Sequence, residues 1–183
     1  MKTFRYLVIA LSIATSVLAQ TRTVEGSAKG RIYNEPMKQW VPTEIEVYVD
    51  LKGNFYTVVL QRILQPRGML PKESLPAFIA ALEKSKEWAN KAKEGEVEIT
   101  KSLGDFATPE GLILHDIKLD FFSAKKGKQT DVIMFVTDFD NRFKKAEVYI
   151  AVEDVDALIG VLKRVQATYK ELLEQKKKSD DFK

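Results

Sequence analysis

The stretch Glu44-Ile45-Glu46-Val47-Tyr48-Val49-Asp50-Leu51 decides the fold class. Ile45, Val47, Val49 and Leu51 alternate with Glu44, Glu46, Tyr48 and Asp50. That period of two belongs to a strand with one buried face. Lys52-Gly53-Asn54 reads as a turn, and residues 55–64 as the return strand of a hairpin. The return strand is apolar on both sides: Phe55, Val59 and Ile63 on one, Tyr56, Val58, Leu60 and Leu64 on the other.

Toward the C-terminus the period changes. Leu75, Phe78, Ile79, Leu82, Ala89 and Ala92 recur at helical spacing, with Trp88 beside them. Ser74 is the expected N-cap, Pro76 fits the first turn, and Gly95 the stop. Val97 and Ile99 suggest a short strand, and residues 101–110 a loop. The scheme then returns. Residues 111–122, 130–137 and 146–150 read as strands, with Lys125-Lys126-Gly127-Lys128 and Asp138-Phe139-Asp140-Asn141 as turns. A long helix follows from about Asp154, with Val155, Leu158, Ile159, Leu162, Val165, Tyr169, Leu172 and Leu173 on its apolar face. Acids at its start and bases at its end suit the helix dipole, and Lys176-Lys177-Lys178 should fray. The expected class is α+β: a mainly antiparallel sheet with two long amphipathic helices.

The halves align at an offset of 80 residues, with Phe55 on Phe135, Thr57 on Thr137, Arg62 on Arg142, Glu73 on Glu153 and Leu82 on Leu162. Two repeated hairpin-plus-helix units, 44–94 and 112–175, are therefore expected, packed together because neither buries its apolar face alone.

Toward the N-terminus, residues 20–33 alternate weakly and read as an edge strand or loose arm. Pro36 and Pro42 punctuate the chain around Trp40. The first 19 residues have the three parts of a secretory signal: basic Lys2 and Arg5, an apolar run over 6–14, and Val17 and Ala19 before a cleavage site. The apolar run falls short of the roughly 20 residues of a spanning helix. The expected product is an exported domain, 20–183, periplasmic or extracellular, with no membrane span. Cleavage would remove two bases and no acid from the full chain's 29 basic and 26 acidic residues, lowering its net charge from +3 to +1. A near-neutral exported chain makes nucleic acid an unfavoured partner.

The absence of cysteine excludes disulfides, thiol nucleophiles, iron–sulfur clusters and Cys-based zinc sites. His115 is the only imidazole. It shares a strand face with Ile113, Ile117 and Leu119, whereas Asp116 points the opposite way, so the two make no ready catalytic pair. There is no Gly-x-Ser-x-Gly elbow and no phosphate-cradling glycine loop. Asp138-Phe139-Asp140-Asn141 starts like a calcium loop, but Arg142 and Phe143 then break that pattern and an Asx-stabilised turn remains. Glu44/Glu46 and Glu96/Glu98 are same-face acid pairs, read as solvated rather than tuned for catalysis. No catalytic residue, metal ligand or cofactor is expected.

Two basic clusters, Lys125/Lys126/Lys128 and Arg142/Lys144/Lys145, are interleaved with Phe121, Phe122, Phe139 and Phe143. Stacking aromatics among bases would suit a single-stranded nucleic acid, while lysines in hairpin turns also keep sheet edges soluble. The two-faced strands carry more. Two helices on one side of a sheet leave the other side uncovered. Tyr56, Val58, Leu60, Ile133 and Phe135 are the candidate face for an apolar ligand, a protein partner or a second copy in a homodimer.

Residues 44–91 and 112–173, about two thirds of the chain, are similar in layout to the repeated sheet-plus-helix modules of the PUR-alpha and Whirly single-strand-binding families. That resemblance implies a curved sheet, nucleic-acid binding and pairing of repeats. It rests on layout without a shared motif and transfers no residue role. The expected function is non-enzymatic binding or assembly outside the cytoplasm, with an exported hydrolase and a single-strand binder as the alternatives.

Overall fold

The computed structural model describes residues 21–50, 55–61, 66–106, 117–138 and 143–181, without the side chains of 21, 50, 55–61 and 179. The fold is α+β. Among the described residues the strands are β1 (Thr21–Thr23), β2 (Ala28–Asn34), β3 (Gln39–Asp50), β4 (Phe55–Gln61), β5 (Arg67–Pro71), β6 (Ile99–Asp105), β7 (Ile117–Ala124), β8 (Gln129–Thr137) and β9 (Lys145–Ala151). Two long helices are α1 (Leu75–Glu94) and α2 (Val155–Asp180), each entered through a 3-10 turn, Lys72–Ser74 and Val152–Asp154. These turns and helix starts also lie 80 residues apart.

All pairings among the described strands are antiparallel, in the order β5-β4-β3-β2-β9-β8-β7-β6, with β1 on β3. The two halves of the sheet meet at β2 and β9, whose described register holds one pair, Arg31 opposite Tyr149.

The expected first hairpin stands, with Ile45 opposite Leu60, Val47 opposite Val58 and Val49 opposite Tyr56. Ile45, Val47 and Val49 are fully buried. They join Leu70 of β5, Ile117 and Leu119 of β7, Met134 and Val136 of β8, and Val148 and Ile150 of β9 in one core. Phe78 and Leu82 of α1 and Leu158 and Leu162 of α2 enter the same core. Both helices therefore cover the inner face. On the other face Lys29, Glu44 and Glu147 are exposed.

Five segments differ from the sequence reading. First, β5 lies between the hairpin and α1, where no strand is expected. Its five residues are too few to show a period; Pro66 precedes them and Pro71 is the last of them. A Cβ on Gly68 would stand 2.8 Å from Val136 Cγ1 and 2.9 Å from Ile117 Cγ1. The bare glycine lets β5 cross closely over β7 and β8, so the sheet curls back on its own inner face. Second, 101–105, read as loop, belongs to β6. It is the last strand on the sheet path, largely exposed, and its register shifts between Ser102 and Gly104, which erases the alternation. Third, 28–34 is no edge arm but the central strand β2, and its partner β3 starts at Gln39 and contains Pro42. Among the described residues, Pro42 pairs with Arg31 of β2. Fourth, Ser74 makes no side-chain cap, since the 3-10 turn already leads the chain into α1. Fifth, helix α2 continues through Lys176–Lys178 to Asp180, carried by residues of high helix propensity.

Candidate binding face at the sheet seam

Where β2 meets β9, the outer face gathers three aromatic side chains. Alternation on β2 and β3 puts Tyr33 opposite Trp40, and the β2–β9 register brings Tyr149 alongside. The Tyr33 and Trp40 rings lie 5.4 Å apart at 65°, and Trp40 and Tyr149 lie 4.8 Å apart at 77°. These edge-on contacts are the favoured aromatic geometry. Trp40 nevertheless keeps 47% of its surface exposed, and Tyr33 37%.

An ion pair locks this cluster. Arg31 reaches from β2 across β9 to Asp131 on β8. Its Nη2 donates to both carboxylate oxygens, at 2.8 and 2.7 Å. Asp131 is 1% exposed and also accepts from Gln129 Nε2 at 3.2 Å. The Arg31 guanidinium sits 5.3 Å from the Trp40 ring centroid, a cation–π contact that fixes one ring face. With so short a described backbone register between β2 and β9, this stitch adds a polar tie across the seam.

A cleft of about 560 Å³ opens beside the cluster, lined by Ile32, Tyr33, Glu35, Trp40, Lys145, Ala146, Glu147 and Tyr149. The Tyr149 phenol is held above its ordinary value of 10.0, first by burial, then by the charges of Glu147 and Asp131 and a hydrogen bond with Glu147, while Arg31 opposes. A raised folded-state value means the fold favours the neutral phenol. That contribution to stability is complete below pH 10 and is lost as pH rises through the folded value. Denaturant unfolding across this alkaline range should therefore show stability falling, and Tyr149→Phe should flatten that fall. Equal slopes in both proteins would refute the coupling.

The five positions of the expected apolar face divide between two faces. Tyr56, Val58 and Leu60 stand in register with the buried Val49, Val47 and Ile45, and their side chains lie outside the described set. Ile133 and Phe135 lie on the outer face, in register with Tyr149 and Glu147. Ile133 is 6% exposed, and Phe135 is half-buried under the Lys118 ammonium, 5.2 Å from its ring centroid. Ile133 and Phe135 thus adjoin the aromatic cluster. Its other members, Tyr33, Trp40 and Tyr149, escape a sequence reading because Tyr149 comes from β9, far along the chain from the β2–β3 hairpin that pairs Tyr33 with Trp40. The one available signal was Trp40 flanked by charged and turn residues.

Asp120 lies on the same face opposite Ile133. Its Oδ2 accepts from Lys118 at 2.9 Å, and its buried Oδ1 has no partner among the described residues. His115 lies outside the described residues, as do Phe139, Asp140 and Asn141. Asp138 is buried, and its Oδ2 accepts from the Arg67 amide at 3.0 Å, tying the start of β5 to the end of β8. Glu46 accepts from the Tyr48 hydroxyl at 2.7 Å, and Glu44 is exposed. Glu96 and Glu98 precede β6; Glu96 pairs with Lys126 at 3.7 Å, and Glu98 accepts from the Lys126 amide at 2.9 Å. Both acids hold the Lys125–Lys128 turn. Among the aromatics of the basic clusters, Phe121 is buried on the inner face against Trp88, while Phe143 is 84% exposed beside Lys144. The described residues contain no group of three or more acids or imidazoles placed to hold a metal ion. No described helix is long and apolar enough to cross a membrane.

Comparison with protein-family models, curated proteins and solved structures yields no significant match to this chain.

Proposed function

We propose that this is an exported, non-enzymatic binding protein that seats a saccharide ring in the seam cleft. The observation that carries this reading is the half-exposed Trp40, held rigidly between two tyrosines by the Arg31–Asp131 stitch. A large aromatic fixed in the open has its ordering cost already met before a ligand arrives. Around it stand acceptors (Glu35, Glu147), a donor (Lys145) and two phenols, Tyr33 and Tyr149. An apolar platform with both donors and acceptors at its rim matches the flat C–H face and peripheral hydroxyls of a sugar. Rings only 4.8–5.4 Å apart touch one another, so the ligand would lie on the cluster rather than between its members. Among the described lining residues two acids, Glu35 and Glu147, face one lysine, which disfavours a polyanion such as single-stranded nucleic acid. Export rests on the pattern of residues 1–19. The shared 80-residue offset supports an origin of the two halves by duplication.

The chain has two tryptophans, so Trp88→Phe leaves Trp40 as the sole reporter. Its emission should shift saturably with members of an oligosaccharide panel, and Trp40→Ala in the otherwise native chain should abolish binding measured by calorimetry. Cleavage of the bound sugar would instead support a hydrolase. Single-stranded DNA binding that weakens with salt would support the nucleic-acid reading. A doubled mass in solution with Trp40 buried would make this face a homodimer interface. Absence of any saccharide response would refute the proposal.

A further inference from the structure

A second concavity lies at the far end of the sheet path, between the C-terminal half of α1 and β6. It measures about 340 Å³ and is lined by Trp88, Lys91, Ala92, Val97, Ile99, Lys101 and Phe121. Its floor is apolar. Phe121 is buried and meets the Trp88 ring edge-on, with centroids 5.8 Å apart and planes at 79°. Its wall leaves apolar side chains in water: Val97 is 44% exposed and Ile99 42%. The wall is fixed, because the Val97 amide donates to Ala92 O at 2.9 Å, clamping the connection to the end of the helix.

The rim is cationic. Lys91 and Lys101 line the cavity, and none of its described lining residues is an acid. The ammonium groups of Lys84 and Lys101 each stand 4.8 Å from the Trp88 ring centroid, attracted to its π-system. None of Lys84, Lys91 and Lys101 forms an ion pair with a described carboxylate. A cation entering this cavity would meet like charge, and a purely apolar ligand would displace water from ammonium groups and offer them nothing in return. A molecule with an apolar body and one anionic head satisfies both parts. The volume lies at the small end of the range for ligand sites. The exposed apolar groups line a concavity, which suits a soluble single molecule better than a membrane surface.

We infer that this pocket binds a soluble amphipathic carboxylate, its tail against Trp88, Val97, Ile99 and Phe121 and its head between Lys91 and Lys101. This site shares no residue with the seam cleft and does not depend on the saccharide reading.

Trp40→Phe isolates Trp88 as the reporter, and decanoate below its micelle concentration is the probe. A saturable change in Trp88 emission is expected, with 1-decanol and decylammonium binding at least about fivefold more weakly. Lys91→Gln with Lys101→Gln, both on exposed side chains, should weaken decanoate by roughly tenfold, the worth of one charge-assisted contact, and leave decanol unchanged. The far-ultraviolet spectrum of the double variant should match that of the parent. Equal affinity for decanol and decanoate would overturn the inference, as would no saturable response. A Trp88 shift with phosphatidylglycerol vesicles but not with monomeric decanoate would overturn it in favour of membrane docking.

Discussion

Arg31→Ala should lower the unfolding free energy by about 3 kcal/mol, because it leaves the Asp131 carboxylate buried without its counter-charge. The loss should appear as a lower denaturant midpoint with an unchanged slope. Arg31→Lys should cost clearly less. In the native pair one nitrogen, Nη2, donates to both oxygens, and a single ammonium can reproduce that arrangement in part. Combining Arg31→Ala with Asp131→Leu should recover much of the loss, since an apolar pair carries no stranded charge. The same double variant should still lose ligand at the seam, because Trp40 would no longer have the guanidinium against its ring. Stability recovered while binding stays lost would separate the two roles of the stitch. A cost for Arg31→Ala below about 0.5 kcal/mol, the range of ordinary surface changes, would show that the seam does not depend on this pair.

Gly127→Ala should cost about 3 kcal/mol, at the upper end for overpacking. The turn from Lys125 to Gly127 holds three successive left-handed residues, with φ of 52°, 57° and 74°. A Cβ on Gly127 would stand 2.2 Å from Ala92 O and 2.6 Å from Ala92 C. Both atoms are helix backbone and cannot rotate away as a side chain could. The turn must therefore lift off the end of α1, taking the Glu98 contact to the Lys126 amide with it. Faster amide exchange at Lys126 and Val97 is expected, together with a loss of decanoate response at the neighbouring pocket. Lys128→Ala, on an exposed neighbour, should change stability by less than about 0.5 kcal/mol. If Gly127→Ala behaves like Lys128→Ala, the turn does not press against the helix.

The strand of residues 44–51 and both amphipathic stripes were legible from local pattern, because each element buries one side and its apolar period records which. Phe78 and Leu82 on α1 and Leu158 and Leu162 on α2 are core residues, as their spacing requires. Strand β5 was not legible, and of β6 only the start at Ile99 was. The five residues of β5 are too few to show a period, and β6 lies exposed at the end of the sheet path, where burial imposes no alternation. The central place of β2 was hidden for a different reason: its glycine-containing, weakly alternating sequence looks like an edge, and only the docking of β9 makes it internal.

The candidate sites show the same division. Sequence alone determined the α+β class with its two long amphipathic helices, which helix residues face the core, and that cysteine chemistry is absent. It did not assemble Tyr33, Trp40 and Tyr149, or place Arg31 on Asp131 at a separation of 100 residues. Nor did it bring Lys101 to Trp88, whereas Lys84 reaches that ring as an i,i+4 neighbour on the same helix. Local periodicity reports which side of an element is buried, since that is settled within a few residues of the chain. Which strands become neighbours is settled by how the two halves pack, and the side chains that meet across the seam carry no record of one another in their own segments.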